Sequence, residues 1–154
     1  MNEVVNRLIK NNRTISTMES CTGGLLASEI TNIPDSSKIL KFSAVTYSNE
    51  FKIKMGVNSD TIDKYTVYSV EVAMEMSKAI TDFTNSDYGV GITGQLKKAD
   101  DANPTDNDNL VYVSVYDRNK NYYYTMSLEA LDLPRSENKK YVVNRIIDLL
   151  KTIV

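Results

Sequence analysis

The chain has 154 residues, 42% of them hydrophobic and 25% charged, which predicts one globular domain, residues 1–154, with a core that needs neither disulfides nor a metal. Its 18 basic and 20 acidic side chains nearly balance, so no global charge favours nucleic acid or an anionic membrane as a partner. With one cysteine, no signal-peptide pattern and no apolar run of the roughly 20 residues that span a bilayer, a cytoplasmic protein is expected.

The first part of the chain alternates between helical and extended patterns. Apolar residues in 2–10 recur at helical spacing, and residues 14–18 form a short run typical of a strand. After a glycine turn, residues 25–30 continue a helical face. Pro34 and its polar neighbours end that helix. The pattern predicts a helix, a strand and a second helix.

The middle of the chain repeats this alternation. Residues 42–47 predict a second strand, and residues 48–50 have the character of a helix cap, which predicts a short helix that Gly56 closes. Ser69 begins a longer helix with an apolar stripe at helical spacing, which predicts that the stripe is core. The stripe consists of Val72 or Ala73, Met76, Ile80 and Phe83.

The last part predicts a buried strand at 88–93, a long polar loop at 95–109 and a β-hairpin over 110–128. The length and polarity of the loop predict that it is mobile without a ligand. Ser136 is expected to cap a final amphipathic helix. Strands that alternate with helices and end in a hairpin predict an α/β domain with a mixed sheet of about five strands covered by helices.

The most informative motif is ESCTGG at residues 19–24, where the first strand turns into a helix. Unpaired backbone N–H groups at such a junction can hold a phosphate or the oxyanion of an attacked carbonyl. Ser20 could itself attack that carbonyl. Without Cβ atoms, Gly23 and Gly24 would let a ligand approach the backbone closely. An ordinary serine or threonine helix cap is the alternative reading.

The chain contains no histidine, which excludes a Ser-His-Asp triad and histidine-based metal motifs. A nucleophilic Ser20 must therefore give its proton to lysine, tyrosine, a carboxylate or water. A serine-lysine pair can do this when the lysine is partly desolvated. Cys21 is a competing nucleophile, although no histidine is present to form the usual ion pair with it. No cofactor is predicted.

A second junction of strand and helix lies at residues 47–52, which read YSNEFK. Ligands collect at strand ends in sheets rich in parallel strands, so this junction and the Ser20 junction could converge on one crevice. Taken singly, Tyr47 is typical of a half-buried strand residue and Lys52 of a solvated helix residue. Thr93 and Gly94 form a third, weaker strand exit.

Taken together, four parts of the chain resemble the CinA C-terminal domain family, whose best characterised members are nicotinamide-nucleotide amidases. They are ESCTGGLL at 19–26, YSNEFK at 47–52 followed by Gly56, Ser69 at a helix start, and ITG at 92–94. The resemblance implies hydrolysis of nicotinamide mononucleotide to nicotinic acid mononucleotide and ammonia. It also implies a catalytic set of Ser20, Tyr47 and Lys52, in which Ser20 is the nucleophile and the other two handle protons. Residues implied to bind the oxyanion or the substrate are Cys21, Thr22, Gly23, Gly24, Asn49, Thr93 and Gly94. Relatives suggest a homodimer.

One segment departs from the family. After Thr-Gly the family continues with a segment of the Ile-Ala-Gly-Pro-x-Gly-Gly kind, whereas this chain has QLKKADD at 95–101. The longer segment 95–109 contains no glycine and carries four aspartates against two lysines, so it should cradle a phosphate poorly. Two functions are therefore expected: a serine amidohydrolase of nicotinamide mononucleotide or a related small amide, or a noncatalytic or regulatory relative that binds a nucleotide-like ligand or a protein partner.

Overall fold

Five strands form one mixed sheet in the computed structural model, which describes residues 1–96 and 109–154. In chain order they are β1 (Ile15–Glu19), β2 (Leu40–Val45), β3 (Tyr88–Gly94), β4 (Leu110–Asp117) and β5 (Tyr122–Glu129). Across the sheet the order is β2-β1-β3-β4-β5. β1 runs parallel to both of its neighbours, and β4 is antiparallel to β3 and β5. The predicted α/β fold with a mixed sheet is confirmed.

Helices cover both faces of this sheet. They are α1 (Asn2–Lys10), α2 (Leu25–Thr31), α3 (Asn49–Lys54), α4 (Ser59–Tyr65), α5 (Val70–Thr84) and α6 (Arg135–Ile153). The larger core lies between the sheet and α1, α2 and α6, and a smaller core lies on the opposite face beneath α4 and α5. Among the described helices, none combines the length and the apolar character that a membrane span requires.

Helix α5 lies close to the centre of the sheet because β3 carries glycine where the helix crosses it. A Cβ atom on Gly91 would overlap the carbonyl oxygen of Ala73, and one on Gly89 would overlap the Thr81 hydroxyl. The Ser69 hydroxyl caps the helix by accepting from Val72 N at 3.3 Å, as predicted. The close crossing thus brings the start of α5 near the carboxyl ends of the parallel strands.

Two predictions about side chains in helices were wrong. Phe83 is 66% exposed and contacts Phe42, because the inward position of the last turn belongs to Thr84, which accepts from the Ser16 hydroxyl at 3.0 Å. Ser136 does not cap the final helix. That helix already begins at Arg135, directly after Pro134, since the fixed φ of proline suits a helix entrance.

The segment expected to be a mobile loop is only partly described. Gln95 extends the pairing of β3 with β4, because its N–H donates to Leu110 O at 2.9 Å, and Leu96 packs into the larger core. Residues 97–108 lie outside the described residues, and so does the predicted mobility of that segment.

Candidate active site

The three parallel strands bring separate parts of the chain to one edge of the sheet. β1 leads into Ser20, β2 leads into Thr46, and β3 ends at Gly94. Ser20 N donates to Ile92 O at 3.0 Å, and Thr46 N donates to Glu19 O at 2.8 Å. These bonds keep the strand ends in register for one residue beyond β1 and β2, so Ser20 lies between the other two strands.

Ser20 and Lys52 meet at this edge. Lys52 Nζ lies 3.1 Å from Ser20 Oγ and donates to Thr46 O at 2.8 Å. Lys52 is only 2% exposed and Ser20 only 8% exposed. The predicted Ser48 cap, which accepts from Phe51 N at 3.3 Å, starts α3 directly after β2. That short connection turns Lys52 back towards the end of β1.

Tyr47 has a different partner from the one expected. Its side chain is 65% exposed, and its hydroxyl accepts from Arg135 Nη2 at 3.0 Å. The structure therefore pairs Tyr47 with the first residue of α6, whereas it places the Lys52 amine against the Ser20 hydroxyl. Sequence analysis did not select Arg135. A cation in the first turn of a helix opposes the helix dipole, and that unfavourable placement is the signal that could have identified it.

Glu19 fixes the turn that follows β1. Its buried carboxylate accepts from the Thr22 hydroxyl at 2.7 Å and from the backbone N–H groups of Gly24, Leu26 and Ala27 at 3.1, 3.2 and 2.9 Å. The first N–H groups of a helix have no partner within the helix. Glu19 supplies that partner for α2, and the alternative reading of the motif, a serine or threonine cap, is not observed there.

This arrangement narrows the expected oxyanion site. Gly23 N donates to Ser20 O at 3.0 Å, and Gly24 N is held by Glu19, so neither N–H is directed to a ligand. Among the described residues, Cys21 N and Thr22 N have no oxygen acceptor. These two N–H groups, adjacent to Ser20, are the ones that could stabilise an oxyanion. Both glycines have positive φ, +65° at Gly23 and +90° at Gly24.

Cys21 is buried, with 2% of its surface exposed. Burial raises the pKa of its thiol to about 12, although the charge of Arg135 acts in the opposite direction. The thiolate is the reactive form of cysteine. At neutral pH this side chain is therefore a neutral packing group.

The remaining predicted residues lie along the same edge. The Thr93 hydroxyl is fully buried and donates to Val67 O at 2.9 Å, which ties the end of β3 to the segment before α5. Gly94 ends β3 where a Cβ atom would lie 2.5 Å from Leu110 O. Asn49 is half-buried at the start of α3. Within residues 1–96 and 109–154, no cluster of three or more histidine, cysteine, aspartate or glutamate side chains could hold a metal.

Comparison with known proteins identifies related sequences. The profile of the CinA C-terminal domain matches residues 1–154. A competence-damage inducible protein of Clostridium kluyveri is 47% identical over 120 residues, which cover 77% of this chain and 29% of that protein. One from Clostridium botulinum strain Langeland is 36% identical over 155 residues, covering 96% of this chain and 36% of that protein. The chain thus spans about a third of the length of these relatives.

Solved structures share the fold along the whole chain. The competence/damage inducible protein CihA from Agrobacterium tumefaciens is 26% identical with a TM-score of 0.83, covering 97% of this chain and 92% of that one. A CinA superfamily protein from Klebsiella pneumoniae is 23% identical with a TM-score of 0.87, covering 98% and 92%. The second likeness concerns the fold alone.

Proposed function

Because the chain belongs to the CinA C-terminal domain family, we propose that it hydrolyses the carboxamide of nicotinamide mononucleotide, releasing ammonia and nicotinic acid mononucleotide. Ser20 is the nucleophile and Lys52 is the general base. The observation that carries this proposal is the 3.1 Å contact between the Lys52 amine and the Ser20 hydroxyl, both nearly inaccessible to solvent. A serine and a lysine at this separation can exchange a proton directly.

The reaction requires Lys52 as a neutral amine, because only that form can accept the proton of Ser20. As Ser20 Oγ attacks the carboxamide carbon, its proton passes to Lys52 Nζ, and the N–H groups of Cys21 and Thr22 stabilise the oxyanion. The carbonyl of Thr46 holds Lys52 in position.

The second half of the reaction reverses the proton transfer. Lys52 gives its proton to the amide nitrogen, and the carbon–nitrogen bond breaks. Ammonia departs, and the acyl group remains bound to Ser20 as an ester. Water then attacks this ester while Lys52 accepts a proton from the water. The proton returns to Ser20 Oγ when the nicotinic acid product departs. Each step uses the same pair of side chains.

Tyr47 and Arg135 have a separate role in this proposal. The Arg135 guanidinium lies at an exposed tyrosine next to the site and contributes to the electrostatics of Cys21. A guanidinium matches the geometry of a phosphate. We therefore assign the substrate phosphate to Arg135, with the Tyr47 hydroxyl as its orienting partner, and proton transfer to Lys52 alone.

The test is ammonia release from nicotinamide mononucleotide and from free nicotinamide. Ser20→Ala should abolish turnover, and Lys52→Met should lower kcat by about 100 to 10,000-fold, the usual contribution of a general base. Lys54→Met is the matched control, since Lys54 lies on the same helix, has a side chain that is 59% exposed, and contacts only Glu50 and the ring of Phe51 among the ion pairs and ring contacts of the described residues. Near-normal kcat in a folded Ser20→Ala or Lys52→Met protein would reject the mechanism.

A noncatalytic function is the second candidate, and the observation that favours it is the lack of glycine after Gly94. A relative that has lost the phosphate-binding segment could keep the fold and bind a nucleotide-like ligand without turnover. Calorimetric binding of nicotinamide mononucleotide with no ammonia release from the natural chain would support that function over the hydrolase.

A further inference from the structure

Three buried side-chain atoms in the described part of the chain have no hydrogen-bond partner: the hydroxyl oxygen of Thr46 and both polar atoms of the Gln95 amide. Gln95 is only 4% exposed and Thr46 only 2% exposed. Buried polar atoms without partners are rare in native proteins, and each costs free energy. All three atoms belong to residues that flank Ser20 at the edge of the sheet.

Strand register places Gln95 on the same face as Ser20. Glu19 pairs with Ile92, so Ser20, one residue later, lies beside Thr93. Side chains alternate along a strand. Thr93 contacts Val67 on the α5 face, and Leu96 packs into the core on the opposite face.

Gln95 follows Gly94, whose φ is +151°, but its N–H still pairs with Leu110 O at 2.9 Å. With Leu96 in the core on the opposite face, this pairing favours the α5 face, which Thr93 occupies, for the side chain of Gln95. In an ideal sheet strands are about 4.8 Å apart and two residues advance about 6.8 Å, so residues in the positions of Gln95 and Ser20 would have Cα atoms about 8 Å apart. A small ligand group can contact both side chains across this distance.

A primary amide presents one donor and one acceptor side by side. The group that satisfies both is another carboxamide, whose carbonyl accepts from Nε2 while its NH₂ donates to Oε1. A carboxylate or phosphate offers only acceptors and leaves Oε1 unpaired. This in-plane pairing also leaves the face of the substrate carbonyl open to attack by Ser20.

We infer that Gln95 is a specificity-determining residue that holds the scissile carboxamide of the substrate, an inference that rests on the proposed amidohydrolase function. The buried and unpaired amide of Gln95 supports this assignment. An aliphatic side chain would fill the space without unpaired polar atoms. The glutamine therefore lowers the stability of the folded protein, and its amide remains available to bind a ligand.

The experiment compares two ligands that differ only in the recognised group, nicotinamide mononucleotide and nicotinic acid mononucleotide. Calorimetry in a Ser20→Ala background prevents turnover. We expect the parent, which is the Ser20→Ala protein, to bind nicotinamide mononucleotide at least about 10-fold more tightly than nicotinic acid mononucleotide. Gln95→Met, a substitution of similar size, should weaken amide binding about 10-fold and leave acid binding within about twofold.

A second measurement tests the cost of the unpaired amide. Without ligand, Gln95→Met should raise the midpoint of thermal unfolding by at least about 2–4 °C. Gln95→Leu provides the same comparison should the methionine variant aggregate. The assignment would be overturned if these variants kept the parent's preference for binding the amide over the acid. It would also be overturned if the parent bound both ligands equally or bound neither. Absence of ammonia release with the preference intact would reject the hydrolase and retain the role of Gln95.

Discussion

Substitution of Glu19 by glutamine tests how the turn before α2 is stabilised. The carboxylate accepts four bonds at 3.2 Å or less, three at Oε2 and one, from Ala27 N, at Oε1. In its best orientation the glutamine keeps an oxygen at the Oε2 position and presents NH₂ to Ala27 N–H. One unsatisfied donor costs about 1–3 kcal/mol, and loss of the charge at a helix N-terminus adds about 0.3–1 kcal/mol. Glu19→Gln should therefore lower the free energy of unfolding by about 1–4 kcal/mol.

Urea unfolding followed by circular dichroism measures this loss. Glu29→Gln is the matched control, because Glu29 lies on α2, is half-buried and has no ion-pair partner among the described residues. Substitutions away from special contacts usually change stability by less than about 0.5 kcal/mol. Turnover should fall with stability in Glu19→Gln, since the same turn carries the N–H groups of Cys21 and Thr22. Equal stability of the two variants would refute the stabilising role of the Glu19 carboxylate.

Two further predictions concern groups away from the proton-transfer pair. Because burial raises the pKa of Cys21 to about 12, the native thiol should react with iodoacetamide far more slowly than the urea-unfolded thiol, and Cys21→Ala should retain most of the activity; rapid labelling of native protein would contradict this. Burial alone would raise the pKa of Asp87, yet hydrogen bonds from Arg13, Asn119 and Thr14 outweigh it and lower that pKa from 3.8 to about 2. The resulting stability is about 2 kcal/mol at most. It is complete above about pH 4 and is lost as the pH falls towards 2, so Asp87→Asn should flatten the dependence of urea unfolding on pH over this range. Equal dependence on pH in the parent and the variant would show that Asp87 does not contribute.

Local chemistry made the helix starts at Ser48 and Ser69 predictable, since each hydroxyl bonds within its own first turn. The same local signal failed at Ser136, where the neighbouring Pro134 sets the start of the helix instead. Helix α4 was not predicted because its seven residues bury only Ile62, which gives no repeating apolar stripe. Such short helices depend on tertiary packing more than on their own sequence.

Contacts between distant segments could not be derived from spacing. Ser20 and Lys52 lie 32 positions apart, and their contact depends on β2 pairing beside β1; the family resemblance suggested it, and residue patterns alone did not. Arg135 and Tyr47 are 88 positions apart. That pair requires the last helix to return to the edge of the sheet. The unpaired amide of Gln95 is likewise visible only once burial is known.

The buried polar groups at this edge fall into two classes with opposite energetics. Glu19 and Thr93 have all their strong bonds within the protein, so they fix the positions of neighbouring groups. Removing either should lower stability and activity together. The side-chain amide of Gln95 has no hydrogen-bond partner among the described residues, so removing that amide should raise stability while it weakens ligand binding. A loss of stability on substitution of Glu19 or Thr93, together with a gain of stability on substitution of Gln95, would distinguish the groups that position the site from the group that recognises the ligand.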